Sequence, residues 1–106
     1  MAFTGASLAD GQVATTWGNI YAPSGVKAII KSVTFFNTNA ASQTLEVRVT
    51  RSGSTARNFP RATLAQNESA DLLDSGETFV LSDGDTLEAQ TTTATAVDFT
   101  ITGATE

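Results

Sequence analysis

The sequence predicts an all-β fold: a single antiparallel β-sandwich, jelly-roll-like or barrel-like, with about eight strands. Three observations carry this expectation. Short runs alternate apolar and polar residues, most clearly Leu45-Glu46-Val47-Arg48-Val49 and Val97-Asp98-Phe99-Thr100-Ile101-Thr102. A period of two sorts side chains onto the two faces of a strand. Turn chemistry separates these runs at intervals that suit a sandwich or barrel. No segment of useful length shows the helical period, and the 18 threonines favour pleated surfaces.

The elements follow in order. Residues 1–12 are small and polar, with Phe3 and Leu8 as the large apolar exceptions, and they read as an N-terminal arm or a short edge strand. Residues 13–106 form the sandwich domain. Val13 to Tyr21 reads as a first strand carrying Trp17 and Tyr21. Pro23-Ser24-Gly25 supplies a turn, because proline presets its own φ and glycine is free to adopt positive φ. Val26 to Thr38 is the longest candidate strand. Ile29, Val33 and Phe35 share one parity while Ile30 and Phe36 share the other. That pattern predicts either burial on both faces or a bulge that shifts the register. Asn37 to Ser42 is a turn, and Gln43 to Arg51 pairs with the preceding strand as a hairpin, with Leu45, Val47 and Val49 inward.

Thr55 to Ala65 is less regular. Phe59-Pro60 does not suit a central strand, since proline donates no ladder hydrogen bond, so Arg57, Phe59 and Arg61 are expected on an edge or loop. Glu68 to Leu73 and Thr78 to Leu81 are short strands flanking a turn at residues 74–77. Ser82-Asp83-Gly84-Asp85 is the strongest tight-turn signal, with Asp-Gly favouring positive φ at both central positions. Thr86 to Thr93 and Ala96 to Thr102 form a last hairpin, and Gly103 to Glu106 is a tail.

The 106 residues fit one domain, and a chain of this size buries roughly 65% of its unfolded surface without staples. Cysteine is absent, which excludes disulfides and thiolate metal sites. No apolar stretch approaches the roughly 18 residues that span a membrane, and no basic start with an apolar run predicts a signal peptide. The net charge of −5 is unevenly spread. Residues 1–61 hold all six bases and only two acids, while residues 62–106 hold nine acids and no base. Either strands from both halves interleave and mix the charges, or opposite faces carry opposite sign and meet between neighbouring subunits. The overall sign argues against nucleic acid.

Without histidine, neither a Ser-His-Asp arrangement nor the common zinc sites can be built. Asp83 and Asp85 flank a glycine but lack the ligand frame of a calcium loop, so a structural turn is expected there. No pair of acids stands out as a glycosidase dyad, and no glycine-rich phosphate loop is present. No enzyme activity, cofactor or metal is predicted. What remains are residue types that make contacts: Trp17, Tyr21, Phe59, Arg57 and Arg61, with Phe3 and Leu8 on the arm. Partial core burial is the simpler expectation for Trp17 and Tyr21. The irregular stretch around Pro60 suits display of Arg57, Phe59 and Arg61.

Four segments carry a resemblance: Ile20-Tyr21-Ala22-Pro23-Ser24-Gly25, then Ala28 to Thr38, then Leu81-Ser82-Asp83-Gly84-Asp85-Thr86-Leu87, then Val97 to Gly103. Their order resembles small β-sandwich proteins of tailed bacteriophage virions, the head decoration (cement) proteins and related tail or fibre modules. The resemblance covers most of residues 13–103. It implies a capsid decoration protein on the outer surface of the virion, made in the bacterial host cytoplasm. Its partners would be the major capsid protein and itself, as a homotrimer, with no nucleic acid and no membrane. The alternative is a receptor- or carbohydrate-binding module of a tail tip or fibre, with Trp17 or Tyr21 as an exposed aromatic platform.

Overall fold

The structure, a computed structural model, describes residues 4–73 and 78–105. Phe3 and the turn expected at 74–77 lie outside the described residues. The described chain contains ten strands and no helix: β1 (Thr4–Gln12), β2 (Gly18–Tyr21), β3 (Ala28–Asn37), β4 (Gln43–Thr50), β5 (Arg57–Asn58), β6 (Ala62–Leu64), β7 (Ser69–Asp71), β8 (Phe79–Leu81), β9 (Thr86–Thr91) and β10 (Val97–Thr105).

They form two five-stranded sheets. The first runs β1-β10-β3-β7, with β8 also on β3; the second runs β2-β9-β4-β5, with β6 also on β4. Every pairing is antiparallel. β5 with β6 acts as one interrupted edge strand, and β7 with β8 as another, which leaves eight strand positions. The chain changes sheet between β1 and β2, β2 and β3, β3 and β4, β6 and β7, β8 and β9, and β9 and β10. This alternation is the winding of a jelly-roll sandwich.

The winding corrects the two expected hairpins, and the tight turn at residues 82–85 closes no hairpin either. β3 and β4, β8 and β9, and β9 and β10 are sequence neighbours in different sheets. Their short connections arch over the sandwich rather than fold one sheet back on itself. Positive φ at the Asp-Gly turn is confined to Gly84, at 90°. With Asp85 N–H donating to Ser82 C=O at 3.0 Å, this is the pattern of a type II turn, not a hairpin turn. The expected first strand also divides. Val13 N–H donates to Val97 of the first sheet, and Ala14 C=O accepts from Thr91 of the second, both at 2.9 Å. Residues 13–14 are therefore the crossing point between sheets, and β2 begins only at Gly18.

Of the two alternatives for β3, the bulge holds. Thr102 pairs with Ser32 but Gly103 pairs with Ile30, leaving Lys31 unpaired. Ala28 and Ile30 are buried before the bulge, and Val33, Phe35 and Asn37 after it. One extra residue thus keeps both halves of the strand facing the core. Gly103 belongs to β10, not to a tail. A Cβ there would lie 2.0 Å from Ile29 O, so the bulged backbone approaches in a way only glycine permits. β1 bulges at Leu8 against the same part of β10.

The core lies between the sheets. Ile30, Val33, Phe35 and Ile101 from the first meet Ile20, Leu45, Val47 and Leu87 from the second. At one end, the buried amides of Asn37 and Gln43 tie the arches together. Asn37 Nδ2 donates to Ala41 O at 3.0 Å and Leu64 O at 2.9 Å. Gln43 Oε1 accepts from Thr93 N–H at 2.9 Å.

Candidate interaction surface

Outward positions on the second sheet are set by parity. Glu46, Arg48 and Thr50 alternate with buried Gln43, Leu45 and Val47. The register places Gln90, Glu88 and Thr86 of β9 directly opposite them, where cross-strand side chains meet. Two linked groups result. Arg48 Nε donates to Glu88 Oε1 at 3.0 Å, and Thr50 Oγ1 donates to the same carboxylate at 2.9 Å. The Arg48 guanidinium also sits 4.2 Å from the centroid of the Trp17 ring, a cation–π contact. Beside this group, Glu46 accepts from Gln90 Nε2 at 3.2 Å and from Arg61 Nη2 at 3.3 Å.

A third set closes the other end of the sandwich. Asp85 is only 6% exposed. Its carboxylate accepts from Ser82 N–H and Ser52 N–H, both at 2.8 Å, and from Arg51 Nη1 at 3.1 Å. Arg51 also donates to the carbonyl of Val80. Asp83 Oδ1 accepts from Gly25 N–H at 2.9 Å. The two aspartates thereby join the β8–β9 turn to the β2–β3 and β4–β5 connections. They are the structural turn expected from sequence.

These contacts set the electrostatics. The Ser82 and Ser52 amides, aided by Arg51, hold Asp85 below the ordinary carboxylate range. Arg48, with Thr50, does the same for Glu88. Both groups are ionised at neutral pH and poorly suited to donate a proton there. Burial pushes the Tyr21 phenol up. Among the described residues, no group of three or more acids is placed to hold a metal ion. Among the described residues, no helix is long and apolar enough to cross a membrane.

Folding joins part of the charge asymmetry along the chain into ion pairs. Arg48–Glu88 and Arg51–Asp85 each join a base from the first part of the chain to an acid from the second. Strands from the two parts interleave and their charges mix.

The contact residues suggested by sequence fall on two opposite edges. Leu8 is the bulged residue of β1, half-buried against the core. Tyr21 ends β2 and also packs on the core, and Trp17, just before β2, is half-buried under Arg48. At the far edge, Arg57 and Arg61 are exposed on either side of half-buried Phe59. Arg48, Glu88 and Glu46, which organise the outer face, were not singled out from sequence. The outward parity of β4 was legible, but its pairing with β9 was not.

Comparison with protein-family models, with curated proteins and with solved structures yields no match.

Proposed function

We propose that this chain is a structural protein of a bacteriophage virion, a capsid decoration (cement) protein that binds and stabilises the mature head lattice from outside. The resemblance of its four ordered segments to such proteins supports the reading. The observation that carries it is the division of contact residues between opposite edges. A cyclic homotrimer joins two different patches of the same chain at each interface. Here Leu8, Trp17 and Tyr21 lie at the β1–β2 edge. Arg57, Phe59 and Arg61 lie at the edge formed by β5 and β6.

The mechanism is mass action. A partner that binds only the assembled lattice stabilises that lattice, and contacts repeated over many copies add through multivalency. A sandwich whose arches are tied by Asn37, Gln43, Asp83 and Asp85 is a rigid body suited to bridging neighbours.

Two measurements test this. Light scattering of the purified chain should give three times the 11.0 kDa monomer mass. Quantitative mass spectrometry of purified particles should find the chain at head-lattice copy number, on the order of hundreds, as repetition over a lattice requires. A handful of copies per particle, together with saturable glycan binding, would replace this reading with a tail-tip or fibre module that recognises a receptor or carbohydrate.

A further inference from the structure

We infer that each copy of this chain seats Phe36 in the open cleft between the sheets of the next copy, with Asp10 of the first facing Arg57 of the second. The inference rests on the homotrimer reading and names the groups that meet across each interface. Phe36 and Val80 are the exposed large apolar side chains among the described residues, and Phe36 is the aromatic one. It stands on the outer face of the first sheet, so its own sheet separates it from the core. The same chain holds an apolar opening of about 220 Å³ at the edge between the sheets, lined by Phe35, Leu45, Pro60, Ala62, Ala70 and Leu72. For scale, an apolar cavity of about 150 Å³ accepts benzene, so a phenyl ring fits. A knob and a hole on different surfaces of one chain join copies head to tail, the contact a cyclic trimer needs.

Charge repeats the complementarity. Asp98 stands directly opposite Phe36. In the adjoining row, Asp10 and Asp71 stand at the two ends, across Thr100 and Thr34. Asp98 accepts from Gln12 and Asp71 from Thr34, whereas Asp10 is exposed on β1, which makes this patch continuous with the β1 edge. Beside the cleft stand the exposed Arg57 and Arg61. Among the described residues the ion pairs join Arg48, Arg51 and Arg61 to Glu88, Asp85 and Glu46, which leaves Asp10 and Arg57 without one.

The spacing agrees. Asp10 lies two strands across and two residues along from Phe36, about 12 Å by strand geometry. Arg57 faces Val49, four residues along β4 from Leu45 at the cleft, about 13 Å. An acid and a base at matched distances from knob and hole fix how one copy is turned against the next.

Sedimentation equilibrium of the full chain over a range of concentrations tests this. Phe36→Ser should raise the dissociation constant of the trimer about tenfold or more, as loss of an interface anchor does. Asp10→Lys and Arg57→Glu should each raise it about fivefold. The two together in one chain should return it to within about twofold of the parent, a rescue that damage to the fold cannot produce. The chain has no cysteine, so Phe36→Cys combined with Ala62→Cys gives a second measurement: oxidation should link copies into disulfide-bonded trimers on a non-reducing gel. A parent trimer unmoved by Phe36→Ser, a double reversal that fails to restore assembly, or absence of disulfide-linked trimers would overturn this inference and leave the homotrimer reading in place. A parent chain monomeric at every concentration would overturn both.

Discussion

Gly103 shows how one atom can set a stability limit. Its neighbour across the ladder, Ile29 O, stands where a Cβ would go, and a backbone oxygen cannot swing aside as a side chain can. Gly103→Ala should therefore cost about 3 kcal/mol, at the severe end for a single substitution. Equilibrium urea denaturation measures it. Asp85 carries a different kind of constraint. Its folded-state pKa is depressed chiefly by the Ser82 and Ser52 amides, and that of Glu88 chiefly by Arg48. A carboxylate with a depressed folded pKa stabilises the fold above its unfolded pKa, and that contribution is lost as pH falls through the folded value. Stability should be level from neutral pH to about pH 5 and fall below about pH 4. Asp85→Asn should lower stability at pH 7 by about 2 kcal/mol, through buried donors left badly matched. It should also make the acid-side fall shallower. Denaturation curves recorded across the pH range read both effects.

At the scale of elements, the bulge in β3 decides which face of the strand is core. Ile30 and Val33 are both buried although they differ in parity, because Lys31 is the extra residue that lets the pattern restart. The side chain of Lys31 is exposed and contributes little. Lys31→Ala should stay within about 0.5 kcal/mol of the parent, as surface substitutions do. Deletion of Lys31 should remove the bulge and leave Ile30 and Val33 on one face of a regularly alternating strand, so a cooperative thermal transition should be retained. Phe36 also sorts by this rule. It lies on the outward parity after the bulge and is 37% exposed, while Phe35 beside it is buried. The apolar residues on both parities announced an irregularity in this strand. Which residue is extra depends on where β10 runs alongside it.

At the scale of the whole molecule, topology governs folding speed. Among the described residues, only the pairing of β4 with β5 and β6 joins segments close in sequence, whereas β1–β10, β2–β9, β3–β10 and β4–β9 close long loops. Loop closure must precede the contacts that reward it, so refolding in the millisecond-to-second range is expected, checked by stopped-flow tryptophan fluorescence of Trp17. Strand identity was legible in this chain because alternation is local: Leu45, Val47, Phe99 and Ile101 sort to the core within their own segments. Pro60 placed Arg57 and Arg61 on an edge for the same local reason, a missing donor. The connections were not legible. Asn37–Ser42 and Ser82–Asp85 are as short as hairpin turns, and turn residues specify a change of direction, not the sheet that receives the next strand. The outer-face groups around Arg48 were equally hidden, because they depend on which strand lies alongside. By itself the sequence determined an all-β sandwich with its inward residues and irregular edge. Only the tertiary structure decided the jelly-roll winding and the surfaces it assembles, because burial is favourable whichever strand supplies the partner, while register and layer are settled only when all strands compete for one core.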